Sequence, residues 1–210
     1  AEEPRIAGVV GWVDLSDEAA PGTLARLAEN PGFKGVRPML QDIEDTDWLT
    51  RAARPEAVQA LVDLGLRFDA LVLERHLPML TDFAAMHPDL PIVIDHAAKP
   101  QPGARPKWEE GMAALARWPQ VHCKLSGLMT ELSEEELTDP LPPLRAILDR
   151  LLEWFGPERL IWGSDWPVLT LAASWDDWRG LTEELLAPLS TDVRAAILQG
   201  NAARFYGVSG

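Results

Sequence analysis

Six short apolar runs alternate along this 210-residue chain with segments of helical spacing, and that rhythm restricts the fold more than any other feature. The runs are Ile6–Val13, Phe33–Met39, Phe68–Leu73, Pro91–His96, Val121–Leu125 and Leu160–Trp162. Neighbouring parallel strands need a crossover of a dozen or more residues, usually a helix, so the alternation implies βα units. The helices are legible from their punctuation. Arg54–Leu64 opens on Pro55 and stops at Gly65, Leu77–Met86 stops at His87-Pro88, and Pro106–Trp118 stops at Pro119. In Pro143–Phe155, Leu144, Ile147, Leu148, Leu151, Leu152 and Phe155 form one stripe, closed by Gly156-Pro157. Thr191–Tyr206 reads as a helix, a break at Gly200-Asn201 and a short closing helix. Nothing in the composition marks a boundary, so one domain over residues 1–210 is expected, with Lys99–Pro106 a loop over the active face.

Two architectures fit βα units: an open doubly wound sheet, or a (β/α)8 barrel represented by part of its strands. No Gly-x-Gly-x-x-Gly and no phosphate-binding loop follows a strand, which weakens the first. A barrel collects polar residues at the C-terminal ends of its strands. Here those ends carry Trp12 and Asp14, Arg37, His96, Lys124 and Ser126, and Asp165. The α/β class is therefore expected in its (β/α)8 form. The formal charge of −14 repels phosphate backbones and anionic lipid, which argues against nucleic-acid and membrane partners. No apolar run approaches the roughly 18 residues that cross a bilayer. Cys123 is alone, so a reducing cytoplasm is the expected compartment; it alternates with Val121 and Leu125, as a packing residue does.

The run Leu160-Ile161-Trp162 stops at Gly163-Ser164-Asp165-Trp166-Pro167, a strand end that presents one carboxylate. Asp165 is a candidate general base or metal ligand, against the plainer reading of a turn or cap aspartate. Strand alternation aims His122, Lys124 and Ser126 at the interior, with His122 at the strand start a buried structural histidine. Lys124 needs a carboxylate or a substrate, and an ion pair with Asp165 competes with substrate contact. Placing His96 inward puts Ile92 and Ile94 inward, placing Asp165 inward takes Ile161 and Gly163 with it, and the same parity turns Arg37 to the pocket. For His96 the competing reading is a structural hydrogen bond. His76 borders the pocket or sits on a solvated loop. Trp12 and Trp166 lie at the rim, where indoles stack on sugar rings, although with nine tryptophans core packing is the plainer account of any one. The Glu131–Glu136 acidic run reads as a solvated face or helix start.

Five motifs in this order resemble the amidohydrolase superfamily, in its sugar-lactonase branch with the L-fuconolactonases, L-rhamnonolactonases and 2-pyrone-4,6-dicarboxylate lactonases. They are Ala7-Gly8-Val9-Val10-Gly11-Trp12-Val13-Asp14, Lys34-Gly35-Val36-Arg37-Pro38-Met39-Leu40, Pro91-Ile92-Val93-Ile94-Asp95-His96-Ala97-Ala98-Lys99-Pro100, Val121-His122-Cys123-Lys124-Leu125-Ser126-Gly127, and Gly163-Ser164-Asp165-Trp166-Pro167; the closing Gly200-Asn201-Ala202-Ala203-Arg204-Phe205-Tyr206 agrees. The resemblance implies a hydrolase barrel in which His96 ends strand six and Asp165 strand eight. It implies an aldonolactone such as L-fuconolactone as substrate. Asp165 would activate water directly or on one divalent metal such as zinc, held by His96 and Asp165, and members that work without metal are also implied. His96, Lys124 and Arg37 would face the developing oxyanion, and Ser126, Trp12, Trp166 and His76 would line the substrate. A metal-dependent amidohydrolase or decarboxylase, or a non-catalytic remnant, is the alternative. The resemblance departs at one point: family members carry a His-x-His pair on strand one, and this chain has none. Ile6–Val13 matches strand three, so an N-terminally incomplete barrel of strands three to eight is expected, with open edges that a homodimer would cover.

Overall fold

The computed structural model describes residues 6–208; residues 1–5, among them Ala1, and residues 209–210 lie outside the described residues. Strands β1 (Val9–Gly11), β2 (Phe33–Val36), β3 (Arg67–Ala70), β4 (Ile92–Ile94), β5 (Val121–Leu125) and β6 (Leu160–Trp162) form one sheet in sequence order. Every neighbouring pair is parallel. Around them run α1 (Ala20–Ala28), α2 (Trp48–Arg51), α3 (Pro55–Asp63), α4 (Leu77–Met86), α5 (Pro106–Leu115), α6 (Leu141–Phe155), α7 (Trp175–Leu186), α8 (Thr191–Ala195) and α9 (Asn201–Tyr206). The architecture is the expected α/β one, a partial (β/α)8 barrel. The strands are mostly shorter than the apolar runs that announce them, because the ends of each run turn into the loops. β1 is the extreme case: it pairs only with β2, and Ile6 and Val9 are exposed. No helix among the described residues is long and apolar enough to cross a membrane.

Register divides the strand residues between two faces. Phe68, Ile92, Ile94, Cys123, Leu125 and Leu160 face the helices and join the main core. Asp69 lies beside Val93, Val93 beside His122, and Lys124 beside Ile161 on the inner face. Val93 and Ile161 pack there with Phe205 and Tyr206 of α9. The inward assignment of Ile161 therefore holds, but that of Ile92 and Ile94 does not: Val93 is the inward residue of β4. Burial pushes the Cys123 thiol up, consistent with packing rather than nucleophilic chemistry.

The helices form for local reasons. α6 buries Leu144, Ile147, Leu148, Leu151 and Phe155 along the expected stripe, about 1.5–3 kcal/mol each. α7, which the apolar pattern alone does not reveal, begins with a capping box: Ser174 Oγ accepts from the Asp177 N–H at 3.2 Å, and Asp177 Oδ2 accepts from the Ser174 N–H at 3.0 Å. The expected break at Gly200-Asn201 is instead a wide π turn over Ala196–Gly200 that keeps the chain helical. Beyond it, the Asn201 amide donates to Pro157 O at 2.7 Å and Leu160 O at 2.6 Å, tying α9 to the start of β6.

Candidate active site

The inner face gathers its chemistry at the C-terminal ends of β2 to β6. After β6, Asp165 adopts a left-handed conformation with φ 58° and is followed by a cis Trp166–Pro167 bond. Asp is among the few residues that tolerate this conformation. Trp178 of α7 donates to Gly163 O at 3.0 Å and fixes the strand exit. The Asp165 carboxylate is then held 3.4 Å from His96 Nε2, both side chains largely buried.

His96 reaches that position through a backbone device that strand parity does not foresee. Residues His96, Ala97, Ala98 and Lys99 all have positive φ, between 49° and 57°. This left-handed run follows directly on the strand, so Asp95 and His96, neighbours in sequence, both serve the interior. The turn is braced by Trp108, which donates to Ala97 O at 2.7 Å. Gly127, at the exit of β5 with φ 64°, lies against the imidazole: a Cβ there would stand 2.6 Å from His96 Nδ1. Ser126 Oγ lies 2.9 Å from the same nitrogen. Burial lowers the His96 pKa, opposed by Asp95 and Asp165 and assisted by Lys124 and Lys99, so the neutral imidazole is favoured. Ser126 therefore holds the ring from behind, a different place from the substrate wall expected of it.

Beneath this pair lies a line of buried charges. Lys124 Nζ donates to Asp69 Oδ2 at 2.5 Å and stands 2.7 Å from Asp95 Oδ1. The expected partner, Asp165, is not the one it takes. Asp95 follows β4, the neighbour of β5, and Asp69 projects from β3 one strand further on, so both reach the ammonium from one flank. Burial disfavours the ammonium, but Asp95 and Asp69 outweigh it and hold Lys124 well above the usual lysine range. Burial likewise raises Asp69, against the pull of Lys124. Arg37 Nη1 approaches Asp95 Oδ2 at 3.6 Å while much of its side chain stays open. Tyr206 of α9 donates to Asp69 Oδ2 at 2.7 Å from below. Among the described residues Asp69 Oδ1 lacks a hydrogen-bond partner, and the Asp95 oxygens are held by charge, facing Lys124 and Arg37, without a hydrogen bond.

Asp69, Asp95 and Tyr206 are the residues that motif reading passes over. A signal existed for Asp69: a carboxylate inside the apolar run Phe68–Leu73 must find a cation, and Lys124 was seeking a carboxylate. The other sequence candidates lie further out. His76 is buried, not solvated; its Nδ1 accepts from the Leu73 N–H at 3.0 Å. Trp12 and Trp166 are 64% and 67% exposed at the ends of the two edge strands. Glu131 is no solvated charge either: its carboxylate accepts from Gln101 at 2.8 Å and faces Lys99, joining the two loops over His96.

The donor set can be tested against a metal. His96 Nε2 and Asp165 Oδ1 are 3.4 Å apart. Two donors on one tetrahedral zinc with bonds of about 2.1 Å would be about 3.4 Å apart. Among the described residues, however, no group of three His, Cys, Asp or Glu side chains could hold a metal ion. The pair thus falls one ligand short of the three protein ligands of a catalytic zinc. Without a metal, the arrangement offers a carboxylate facing a neutral imidazole, a fixed ammonium and a half-open guanidinium, a set suited to activating water and stabilising an oxyanion.

Comparison with known proteins agrees with this geometry. The family described as Amidohydrolase matches residues 1–208. An L-fucono-1,5-lactonase of Burkholderia ambifaria is 48% identical over 208 residues, spanning 96% of this chain and 70% of the relative. An L-fucono-1,5-lactonase of Burkholderia multivorans is 39% identical over 224 residues, spanning 98% of this chain and 73% of the relative. A crystal structure of an amidohydrolase from Burkholderia multivorans with bound zinc superposes with a TM-score of 0.88 at 36% identity, over 99% of this chain and 75% of that one.

Proposed function

The chain belongs to the amidohydrolase family, and from that premise we propose that it hydrolyses a sugar-acid lactone, with Asp165 activating the attacking water. The observation that carries the reading is the Asp165–His96 pair, 3.4 Å apart at the strand ends above Lys124 and Arg37. The two related L-fucono-1,5-lactonases point to an aldonolactone of that type as substrate.

The steps follow from the side chains present. Water adds to the lactone carbonyl and gives its proton to Asp165. Negative charge then develops on the carbonyl oxygen, where preorganised donors are worth most. Lys124 supplies a fixed positive charge, hydrogen-bonded to Asp69 and ion-paired with Asp95. The open part of Arg37 supplies further donors. Collapse of the tetrahedral adduct breaks the bond to the ring oxygen, which takes the proton back from Asp165 and leaves as a hydroxyl. The product is the open hydroxy acid. Neutral His96, with Ser126 bonded at Nδ1, presents Nε2–H toward Asp165 and keeps the base oriented. No step is assigned to a metal, because His96 and Asp165 alone do not complete a zinc site. Trp12 and Trp166 offer indole faces to a sugar ring from the two edges of the sheet.

The reading includes a cytoplasmic setting, where buried Cys123 stays a thiol, and a homodimer that covers the edge strands, which light scattering checks. The central experiment is turnover of L-fucono-1,5-lactone and other aldonolactones, followed by acid release. Asp165→Asn is expected to remove turnover at least a thousandfold with an unchanged circular dichroism spectrum. A near-normal rate in that variant would refute Asp165 as the base, and no lactone turnover by the native protein would refute the reaction.

A further inference from the structure

Helix α9 takes no part in the proposed reaction, yet one of its side chains enters the charged line beneath the site. Tyr206 Oη and Lys124 Nζ both donate to the same atom, Asp69 Oδ2, at 2.7 Å and 2.5 Å. The Tyr206 ring centroid lies 5.8 Å from the ammonium, so the ring and its hydroxyl both face Lys124. The helix that carries it is firmly placed. Phe205 packs against Val93 and Ile161 on the inner face, and its ring lies 4.7 Å from that of His122. The Arg67 guanidinium donates to Phe205 O, and Lys34 donates to Gly207 O at 3.2 Å. Tyr206 thus reaches the polar line from a rigid floor.

We propose that Tyr206 is a positioning residue: by sharing Asp69 Oδ2 with Lys124, its hydroxyl fixes where the ammonium sits under the substrate. Asp69 has one oxygen that accepts twice and another, Oδ1, with no partner among the described residues. Without the phenol, the carboxylate is free to rotate and to present either oxygen to the ammonium. Lys124 also stands 2.7 Å from Asp95, the residue preceding His96, so a displaced ammonium is felt at the imidazole. Tyr206 touches neither substrate nor base in this account. Its effect on turnover rests on the lactonase reading, whereas its effect on Lys124 does not.

The test uses the full chain as wild type and Tyr206→Phe, which keeps the ring and removes the hydroxyl. The chain has four lysines, Lys34, Lys99, Lys107 and Lys124, so 15N-lysine labelling gives few ammonium signals, and Lys124→Met assigns the one of interest. In Tyr206→Phe the Lys124 ammonium resonance is expected to shift and exchange faster with water, with the other three unmoved. Turnover is expected to fall about tenfold in kcat with KM within about twofold, the size of effect that supporting hydrogen bonds have on a site. An unmoved Lys124 resonance overturns the proposal, even where kcat falls together with the melting temperature, since that pattern belongs to a purely structural contact. If the wild type turns over no lactone, the functional reading fails and the lysine resonance alone decides the positioning role.

Discussion

Replacing Lys124 by methionine tests the buried charge line at its centre. Asp69 and Asp95 are 1% and 0% exposed, and the ammonium stands within 2.7 Å of both. Methionine keeps much of the volume and removes the cation that pairs with both acids, leaving Asp95 with Arg37 at 3.6 Å and Asp69 with no cation among the described residues. Breaking a buried pair from one side costs about 3–5 kcal/mol, because the remaining charge is neither solvated nor paired. For a chain of this size that is a fall in melting temperature of roughly 6–20 °C. The pH dependence carries the sharper prediction. In the variant the folded state raises the Asp69 pKa further above its unfolded value. A group of that kind supports the fold below the unfolded pKa and loses that support as pH rises through the folded one. The variant should therefore gain stability on acidification from pH 7 toward 5. Adding Asp69→Asn to Lys124→Met should restore part of the loss, since the orphaned charge is gone. Thermal melts of the three proteins across that pH range measure all of this. A loss below about 1 kcal/mol, or a single variant whose stability is flat toward acid, would refute the argument that these charges depend on one another.

Two further perturbations act at Gly127 and His122. Gly127→Ala places a Cβ 2.6 Å from His96 Nδ1 in a residue with φ 64°. It should cost about 1–2 kcal/mol of stability from the backbone alone, and roughly a hundredfold in kcat from the displaced imidazole; native turnover would show that His96 tolerates the shift. Burial holds His122 down at about 4, below the ordinary histidine value of 6.5. Its unfolded form binds a proton first, so its share of stability is complete above pH 6.5 and is lost as pH falls toward 4. That share is about 2–3 kcal/mol after solvent screening. In His122→Leu, urea unfolding should show a shallower acid decline than in the native protein, and an identical decline would assign it elsewhere.

The parallel sheet was legible because each strand is a separate apolar run between recognisable helix stops. Asp165 and His96 were legible as polar residues where such runs end. Three things escaped for physical reasons. Positive φ at four successive non-glycine residues leaves no mark in a sequence, since His96, Ala97, Ala98 and Lys99 are ordinary residues that the surrounding fold forces into that shape. The partner of Lys124 depends on register between strands 55 residues apart, and a single sequence carries no register. α7 was hidden because its apolar stripe is thin, although Ser174 and Asp177 marked its start.

The long-range contacts also order events in time. Each strand pairs with the next in sequence, so the sheet can assemble by successive short closures. The hydrogen bond from Tyr206 to Asp69 spans 137 residues, and that from Lys34 to Gly207 spans 173. Closing such loops costs more chain entropy than any strand pairing in the sheet, and contacts of this separation slow folding. The expected order is therefore that the sheet, with its carboxylates and ammonium drawn together, forms before α9 docks beneath it. The kinetics of refolding should then contain a slow final phase in which the floor of the site closes over an otherwise finished scaffold.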